Sequence, residues 1–185
     1  MRSTGRRVIW LVTGATAVLM GVTLSSAGAS EKLHSFEGSC SVQGTVYFSP
    51  PATNTIQPLT VTYKGTGTCD GTLDGRRISS APVTLRNRAR NVEGSCPRAQ
   101  TTTPGAGSIT FADGTTIRMS IEFTSVLTEV SFTFTGERSG SGTGHGTFLT
   151  PRTPPDVAIR CAGDGVSETP LDITLTTDSP LVSGR

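Results

Sequence analysis

Three arginines at alternate positions form the clearest candidate binding motif in the sequence. Arg86, Arg88 and Arg90 are each two residues apart, and such residues share one face of a β-strand, here the face opposite Val83 and Leu85. A row of planar guanidinium groups suits phosphate- or carboxylate-rich polymers, of which anionic cell-wall polymers are the obvious extracellular example. The alternative is a solvated strand face whose charges prevent edge-to-edge association.

A histidine within a glycine-rich segment is the second candidate for chemistry. His145 lies in Gly140-Ser-Gly-Thr-Gly-His-Gly146, where alternate glycines would share one strand face and admit a neighbouring sheet or a ligand at close range. A hydrolase could pair His145 with Ser139 or Ser141, but no G-x-S-x-G motif frames either serine. We therefore predict no catalytic residues, and a secreted hydrolase using His145 is the alternative.

The four cysteines predict disulfides rather than a metal site. Cys40, Cys69, Cys96 and Cys161 are far apart in sequence, so none forms the closely spaced ligand pair that zinc sites use. We predict no metal and no cofactor. An even number of cysteines in an exported chain is typical of two structural disulfides.

Residues 1–29 have the three parts of a cleavable secretory signal peptide. Arg2, Arg6 and Arg7 precede an uncharged apolar run over 8–24, and 27–29 read Ala-Gly-Ala, a small-x-small cleavage site. A retained N-terminal anchor is the alternative, because the run is near the lower limit for a membrane span. The sequence thus predicts a single domain over 30–185 that is secreted or associated with the cell envelope.

Cleavage would also change the sign of the net charge. Residues 1–29 contain three of the 16 basic residues and none of the 14 acidic ones, so the remainder carries a net charge of −1. A nearly neutral domain gives no general attraction to polyanions or anionic lipids. We expect no nucleic-acid partner, and no membrane association once the signal is removed.

The alternation of apolar and polar residues at every second position predicts an all-β domain. No stretch of 30–185 keeps apolar residues at helical spacing for a dozen residues, whereas period-two alternation recurs between turn-forming residues. The predicted strands cover 41–49, 58–68, 76–79, 82–91, 106–112, 115–125, 129–137, 142–150, 156–161 and 170–177.

The register of the first hairpin can be derived from the sequence. If the turn is centred between Asn54 and Thr55, the numbers of facing residues sum to 109, and apolar residues collect on one face. The facing pairs are then Phe48 with Val61, Val46 with Tyr63, Gly44 with Gly65, Val42 with Gly67, and Cys40 with Cys69. A slip of one residue would destroy both the apolar face and the cysteine pairing. We therefore predict Cys40–Cys69, which leaves Cys96–Cys161.

The hairpin around Asp113-Gly114 presents a conflict between turn type and burial. A two-residue Asp-Gly turn would pair Phe111 with Thr116 and mismatch the apolar faces. We therefore predict a three-residue loop or bulge that pairs Phe111 with Ile117 and Ile109 with Met119.

The signal segment, the Cys40 and Cys69 hairpin with Gly-Thr-Cys-Asp-Gly-Thr-Leu at 67–73, and the alternating glycines occur together in this chain. In this layout it resembles the small Gly- and Thr-rich secreted β proteins of actinobacteria. The resemblance implies a secreted β domain and carries no activity with it.

Two other secreted families share single features. Chromoprotein apoproteins are similar in composition and cysteine count, but their disulfides close short loops. Cys96-Pro97-Arg98 resembles the cysteine-flanked reactive loop of secreted subtilisin inhibitors, so a protease inhibitor is a further alternative.

Taken together, the sequence predicts an antiparallel β-sandwich of nine or ten strands with two disulfides, and a closed meander β-barrel is the alternative. We expect a non-catalytic extracellular or cell-envelope module that binds or has a structural role. Its partner would be an anionic cell-wall polymer or another protein, with Arg86, Arg88 and Arg90 as the candidate anion-binding residues.

Overall fold

The computed structural model describes residues 32–149 and 159–184, so the predicted signal peptide over 1–29 lies outside the described residues. Ten antiparallel strands make up almost all of the described chain. They are β1 (His34–Ala52), β2 (Gln57–Leu73), β3 (Arg76–Gly94), β4 (Arg98–Thr101), β5 (Gly105–Phe111), β6 (Thr116–Val126), β7 (Glu129–Gly136), β8 (Ser141–Phe148), β9 (Val166–Thr177) and β10 (Leu181–Ser183).

The sheet closes on itself into a barrel of eight strands. Each strand pairs with its successor in the order β1, β2, β3, β5, β6, β7, β8, β9, and β9 then pairs with β1. The short β4 lies beyond the end of β5 and pairs with the same neighbours, β3 and β6. The all-β class, the antiparallel pairing and both disulfides are confirmed, Cys40–Cys69 and Cys96–Cys161.

Of the two predicted architectures, the closed barrel describes the structure better than the sandwich. A sandwich needs two separate sheets, whereas β1 is hydrogen-bonded to β2 on one side and to β9 on the other. Closure pairs the first strand with the ninth, which is a contact between distant parts of the chain. Local alternation specifies which face of a strand is buried, but it does not specify which strands become neighbours.

Period-two alternation sends one set of side chains into the barrel and the other to solvent. The interior set is largely aliphatic and aromatic and includes Val42, Val61, Leu85, Ile121 and Leu175, each at most 6% exposed. Because each buried aliphatic side chain contributes about 1.5–3 kcal/mol, this inward-facing set is the main source of stability. The outward set is polar, so the inside and outside of the wall differ at every strand.

The first hairpin has the register derived from its sequence. Cys40 faces Cys69, Val46 faces Tyr63 and Phe48 faces Val61. The other two predicted pairs are also observed. The second hairpin does have a three-residue loop, but Ile109 pairs with Ile117, not with Met119. Gly114 adopts φ +87° in that loop, a conformation that lets the chain reverse over fewer residues than the predicted pairing required. The apolar residues of β5 and β6 still lie on the same face of the sheet.

Three predicted segments differ from the structure. Residues 76–79 and 82–91 belong to one strand, β3, because a bulge opposite Asp70 carries the pairing through Ser80. Asp70 accepts hydrogen bonds from the hydroxyl of Ser79 and the backbone N–H of Ser80. Residues 159–162 are helical where a strand over 156–161 was predicted, and 156–158 lie outside the described residues. The short strands β4 and β10 were not predicted.

One end of the barrel is sealed by the C-terminal strand. We call the end that holds the β2–β3 turn the lower end, and the end that holds the β1–β2 loop the upper end. At the lower end β10 pairs with β1, and the Ser183 hydroxyl donates to the Thr116 carbonyl of β6 at 3.1 Å. The rings of Phe36 and Phe111 pack there with centroids 5.4 Å apart. Leu181 and Phe36 are fully buried, so this end is closed.

Candidate functional site

The upper part of the barrel interior is not filled by side chains. It contains a cavity of about 60 Å³, or about 670 Å³ of empty space when its opening toward solvent is included. Fifteen of its 18 lining residues are apolar, and five of them are phenylalanines: Phe48, Phe123, Phe132, Phe134 and Phe148. Eight strands give a barrel just wide enough either to be packed solid or to hold one small ligand. Here the lower part is packed and the upper part is hollow.

The cavity opens at the upper end. Phe48, Phe123 and Phe148 line it near the ends of their strands and are only partly buried, unlike the phenylalanines deeper in the wall. Large apolar side chains are also exposed at this end, on loops, at the end of β6 and on the helical turn over 159–162. They are Ile56, Val126, Leu127, Leu149 and Ile159. The route between solvent and cavity is therefore bordered by apolar surface.

Among the described residues that line the cavity, three have polar side chains, and two of these already have hydrogen-bond partners. The Ser125 hydroxyl accepts a hydrogen bond from the Ala99 N–H at 3.1 Å. The Tyr63 hydroxyl, which donates, lies 3.3 Å from the carbonyl oxygens of both Val42 and Leu171. These two side chains fasten neighbouring strands together, so they belong to the wall as much as to the cavity.

Asn87 is the exception. Its side-chain oxygen is buried and has no hydrogen-bond partner among the described residues. Asn87 lies on the inward face of β3, directly between Tyr63 of β2 and Gly107 of β5. A buried acceptor without a partner is uncommon in folded proteins and calls for a reason. At this position the empty space beside it provides room for a donor from outside the protein.

None of the side chains that line the cavity in the described part of the chain is charged. Tyr63 is the only titratable residue among the described residues that line it. Burial, with a smaller contribution from the Asp172 carboxylate, raises the pKa of Tyr63 far above its ordinary value. The phenol is therefore neutral at physiological pH and acts as a donor to backbone carbonyls. The interior offers an uncharged, mostly apolar environment with one free acceptor.

The glycines of β8 make room for aromatic rings. Gly142 and Gly144 face inward, and a Cβ on either would overlap a ring of the adjacent strand, Phe134 for Gly142 and Phe132 for Gly144. The glycines within β8 therefore share one strand face, as predicted. Gly140 lies before the strand begins and adopts φ +89°. The face accepts a neighbouring side chain, not a ligand backbone.

His145 lies on the outer wall. Within the described residues it makes no hydrogen bond to a serine or a carboxylate, and its cross-strand neighbours are Ser131 and Thr174. Ser141 is four residues away along the extended strand β8, a separation of about 13 Å. The structure thus does not bring His145 and the predicted serines together.

The three arginines lie exposed on the outer wall, as the alternation predicts. Lys64 of β2 faces Arg86 across the strand pair, and its ammonium lies 5.6 Å from the centre of the Tyr47 ring. Among the described residues none of Lys64, Arg86 and Arg88 is within ion-pair distance of a carboxylate. We call Lys64, Arg86 and Arg88 the cationic patch. Arg90 lies beside it in a bulge of β3.

The segment after Cys96 is a tight turn rather than an extended loop. Ser95 donates its backbone N–H to the Arg98 carbonyl at 2.7 Å, and Arg98 begins β4, where it pairs with Val126. Cys96 is fixed further by its disulfide to Cys161. A reactive loop must present several consecutive residues in an extended form, and this turn has too few residues free of the sheet.

Comparison with protein-family models, curated proteins and solved structures finds no significant match. Residues 32–149 and 159–184 contain no helix long and apolar enough to cross a membrane. The same residues contain no group of three or more histidine, cysteine or acidic side chains placed to hold a metal ion. The function is therefore inferred from the geometry of the chain itself.

The cavity and Asn87 were missed by the sequence analysis. The sequence does contain a signal for Asn87, because it is the one polar residue in an otherwise apolar set at alternate positions on β3. The set is Val83, Leu85, Asn87 and Ala89. The hollow itself has no local signal, since it depends on how side chains from eight strands fill a closed interior.

Proposed function

We propose that this chain is an exported, non-catalytic binding module whose barrel holds a small, mainly apolar molecule. The observation that carries the proposal is the cavity of about 60 Å³ with apolar walls and an apolar mouth. Ligand sites are usually concave, apolar and equipped with a few polar groups, and the mouths of β-barrels are a common location. Removing apolar ligand surface from water supplies the driving force, about 25 cal/mol per Å² buried.

Export is part of the proposal. Two disulfides that link distant parts of the chain are typical of proteins in oxidising compartments, and Cys40–Cys69 and Cys96–Cys161 span 29 and 65 residues. The signal-like segment over 1–29 supports the same location. A rigid, cross-linked barrel suits a binding role outside the cell, where chaperones and a reducing environment are absent.

The test is a nuclear magnetic resonance titration of the domain over 30–185 with n-pentane. We expect shifts in methyl resonances of cavity residues such as Leu85 and Ile121, and none in Leu73, which is buried outside the cavity. Absence of shifts at the cavity methyls, or shifts confined to the exposed rim, would contradict the proposal.

A matched pair of variants locates the binding. Ala99→Leu adds three carbons to a residue that lines the cavity, whereas Ala106→Leu adds the same group to an exposed position on β5. We expect Ala99→Leu to weaken pentane binding at least about fivefold, because the added atoms occupy the space of the ligand. Ala106→Leu should leave binding unchanged.

The cationic patch supports a second candidate function, attachment to an anionic wall polymer. Its three side chains present positive charge that no described carboxylate neutralises, and such groups bind phosphates through charge-assisted hydrogen bonds. Co-sedimentation with purified cell wall at low and at high salt tests it. We expect salt-sensitive binding that is lost in the Lys64→Ala, Arg86→Ala, Arg88→Ala triple variant, and equal binding by that variant would exclude the patch.

A further inference from the structure

We infer that the ligand of the barrel is uncharged and carries a hydrogen-bond donor, a hydroxyl or amide N–H, that binds the side-chain oxygen of Asn87. The inference rests on the proposed function and specifies the chemistry of the ligand. Asn87 lines the cavity, and its Oδ1 is buried and has no hydrogen-bond partner among the described residues. A ligand donor would complete the one hydrogen bond that the wall leaves open.

The geometry separates Asn87 from the other polar groups of the wall. Ser125 and Tyr63 direct their hydrogen bonds to backbone groups of neighbouring strands, so they have structural partners. Asn87 has no such partner, although Tyr63 and Gly107 flank it directly. Gly107 has no side chain to meet Asn87, and Ile121 leans over that glycine, with its Cδ1 within 2.5 Å of where a Cβ would be. No neighbour on either flank can supply the missing donor.

The absence of charge in the lining sets the class of head group. No lysine, arginine or histidine of residues 32–149 and 159–184 lines the cavity, so a carboxylate or phosphate would enter an apolar space without a counter-charge from them. Burial of an unpaired ion is strongly unfavourable. An ammonium would likewise meet no carboxylate there. A hydroxyl or amide is the polar group that Asn87 can bind without this penalty.

The size of the cavity restricts the rest of the ligand. About 60 Å³ is less than half of the roughly 150 Å³ that accommodates benzene in an engineered apolar cavity. A slender aliphatic chain fits such a space better than a ring system, with any remaining part extending through the mouth between Phe48, Phe123 and Phe148. The inferred ligand is a slender aliphatic molecule with one neutral donor.

The test compares two isomers that differ only in the donor. 1-Pentanol and butyl methyl ether have the same atoms, but only the alcohol can donate a hydrogen bond. Titration of the domain over 30–185, followed through the methyl resonances of Leu85 and Ile121, gives both affinities. We expect 1-pentanol to bind about tenfold more tightly than the ether, because the ether leaves the Asn87 oxygen unpaired. Pentanoate should bind more weakly than either.

Two variants assign the preference to Asn87. Asn87→Leu should bring the alcohol-to-ether ratio close to one while binding of n-pentane persists, because only the acceptor has been removed. Thr84→Leu changes a residue on the outer face of the same strand, outside the cavity and the cationic patch, and should leave the ratio as in the unmodified domain. If Asn87→Leu does not fold, the comparison of isomers on the unmodified domain still decides the question.

The outcomes are separable. Equal binding of alcohol and ether by the unmodified domain, or tighter binding of pentanoate, overturns the assignment to Asn87 and leaves the barrel as a binding site. Absence of binding for pentane, alcohol and ether alike overturns the proposed function and this inference together. A preference for the alcohol that survives Asn87→Leu overturns the role of Asn87.

Discussion

Asn87 illustrates how one polar residue can define a site within an apolar wall. The cost of an unpaired buried acceptor is about 1–3 kcal/mol, which is appreciable against a total folding stability of about 5–15 kcal/mol. The fold tolerates this cost without a compensating partner among its described residues. Functional sites are where a structure departs from its own local rules, and Asn87 is such a departure.

Two valines on β1 provide a residue-scale test of the hollow. Val46 lines the cavity, whereas Val42, four residues earlier on the same face, is equally buried but does not line it. We expect Val46→Ile to change the free energy of unfolding by less than about 0.5 kcal/mol or to raise it, and Val42→Ile to lower it by about 1–3 kcal/mol through overpacking. Urea denaturation measures both, and equal losses would show that no usable space lies beside Val46.

The lower end contains the clearest acid-sensitive contact. Burial opposes ionisation of Asp74, but hydrogen bonds from the Ser35 N–H and the His34 ring, with the nearby positive charge, outweigh it and lower the pKa of Asp74. The ionised form therefore stabilises the fold above the unfolded pKa of about 3.9, and this contribution is lost as the pH falls through the lower, folded pKa.

The substitution Asp74→Asn tests this contact. We expect the unfolding free energy at pH 7 to fall by about 1 kcal/mol, a modest loss because the carboxyl side chain is partly exposed. Asparagine also accepts the positive φ of this turn position, so the backbone should be kept. The difference between the two proteins should disappear in urea titrations well below pH 4. A difference that persists there would mean that charge is not the cause.

At the scale of elements, the rings of β7 and the glycines of β8 depend on each other. Gly144→Ala would drive a methyl group into the Phe132 ring and toward the Thr174 carbonyl at 2.6 Å, and we expect a loss of about 1–3 kcal/mol in unfolding free energy. Thr143→Ala, the exposed neighbour, should cost under about 0.5 kcal/mol.

A double-mutant cycle separates ring overlap from a general effect of altering β8. In a Phe132→Leu background the cost of Gly144→Ala should shrink, because part of the overlapping group is gone. The Thr174 carbonyl remains, so the recovery should be partial. Costs that simply add in the double variant would contradict the proposed contact.

The elements that could be predicted are those specified by a pattern within one segment of the sequence. The β1–β2 register follows from alternation and from Cys40 opposite Cys69, and the inward glycines follow from their spacing in β8. By contrast, β10 has three residues, too few to show a period, and its place depends on contacts with β1 and β6. The helical turn over 159–162 follows nine residues outside the described part, and its alternation resembled a strand.

The candidate site was less predictable than the fold. The exposed positions of Arg86, Arg88 and Arg90 followed from alternation, but Lys64 joined them only through the β2–β3 register. The cavity depends on strand closure and on the volumes of side chains distant in sequence, so it has no counterpart in any single segment. Sequence patterns predict which side of a strand is buried, whereas the space left inside depends on the whole barrel.

At the scale of the whole molecule, the two disulfides secure different parts of the barrel. Cys40–Cys69 joins neighbours already in register, while Cys96–Cys161 ties the turn before β4 to the segment before β9 at the upper end. Chain-entropy estimates give about 3.6 kcal/mol for the first loop and about 4.3 kcal/mol for the second.

We expect the Cys96→Ser, Cys161→Ser variant to lose up to about 4 kcal/mol in unfolding free energy and to retain the barrel. Urea denaturation gives the loss, and protection of β6 and β7 amides from hydrogen exchange reports on the barrel. Collapse of that protection would show that the upper disulfide holds the sheet itself, not only the segment attached to it.

The sealed lower end has a kinetic consequence. Because β10, Phe36 and Phe111 close that end, the described residues leave the cavity open only at the upper end, where Phe48, Phe123 and Phe148 line the exit. Rotamer changes of partly exposed side chains take picoseconds to nanoseconds, far less time than the opening of a cross-linked sheet. The residence time of a bound molecule should therefore depend on the size of the side chains at these three positions. It should be nearly independent of the unfolding free energy of the barrel.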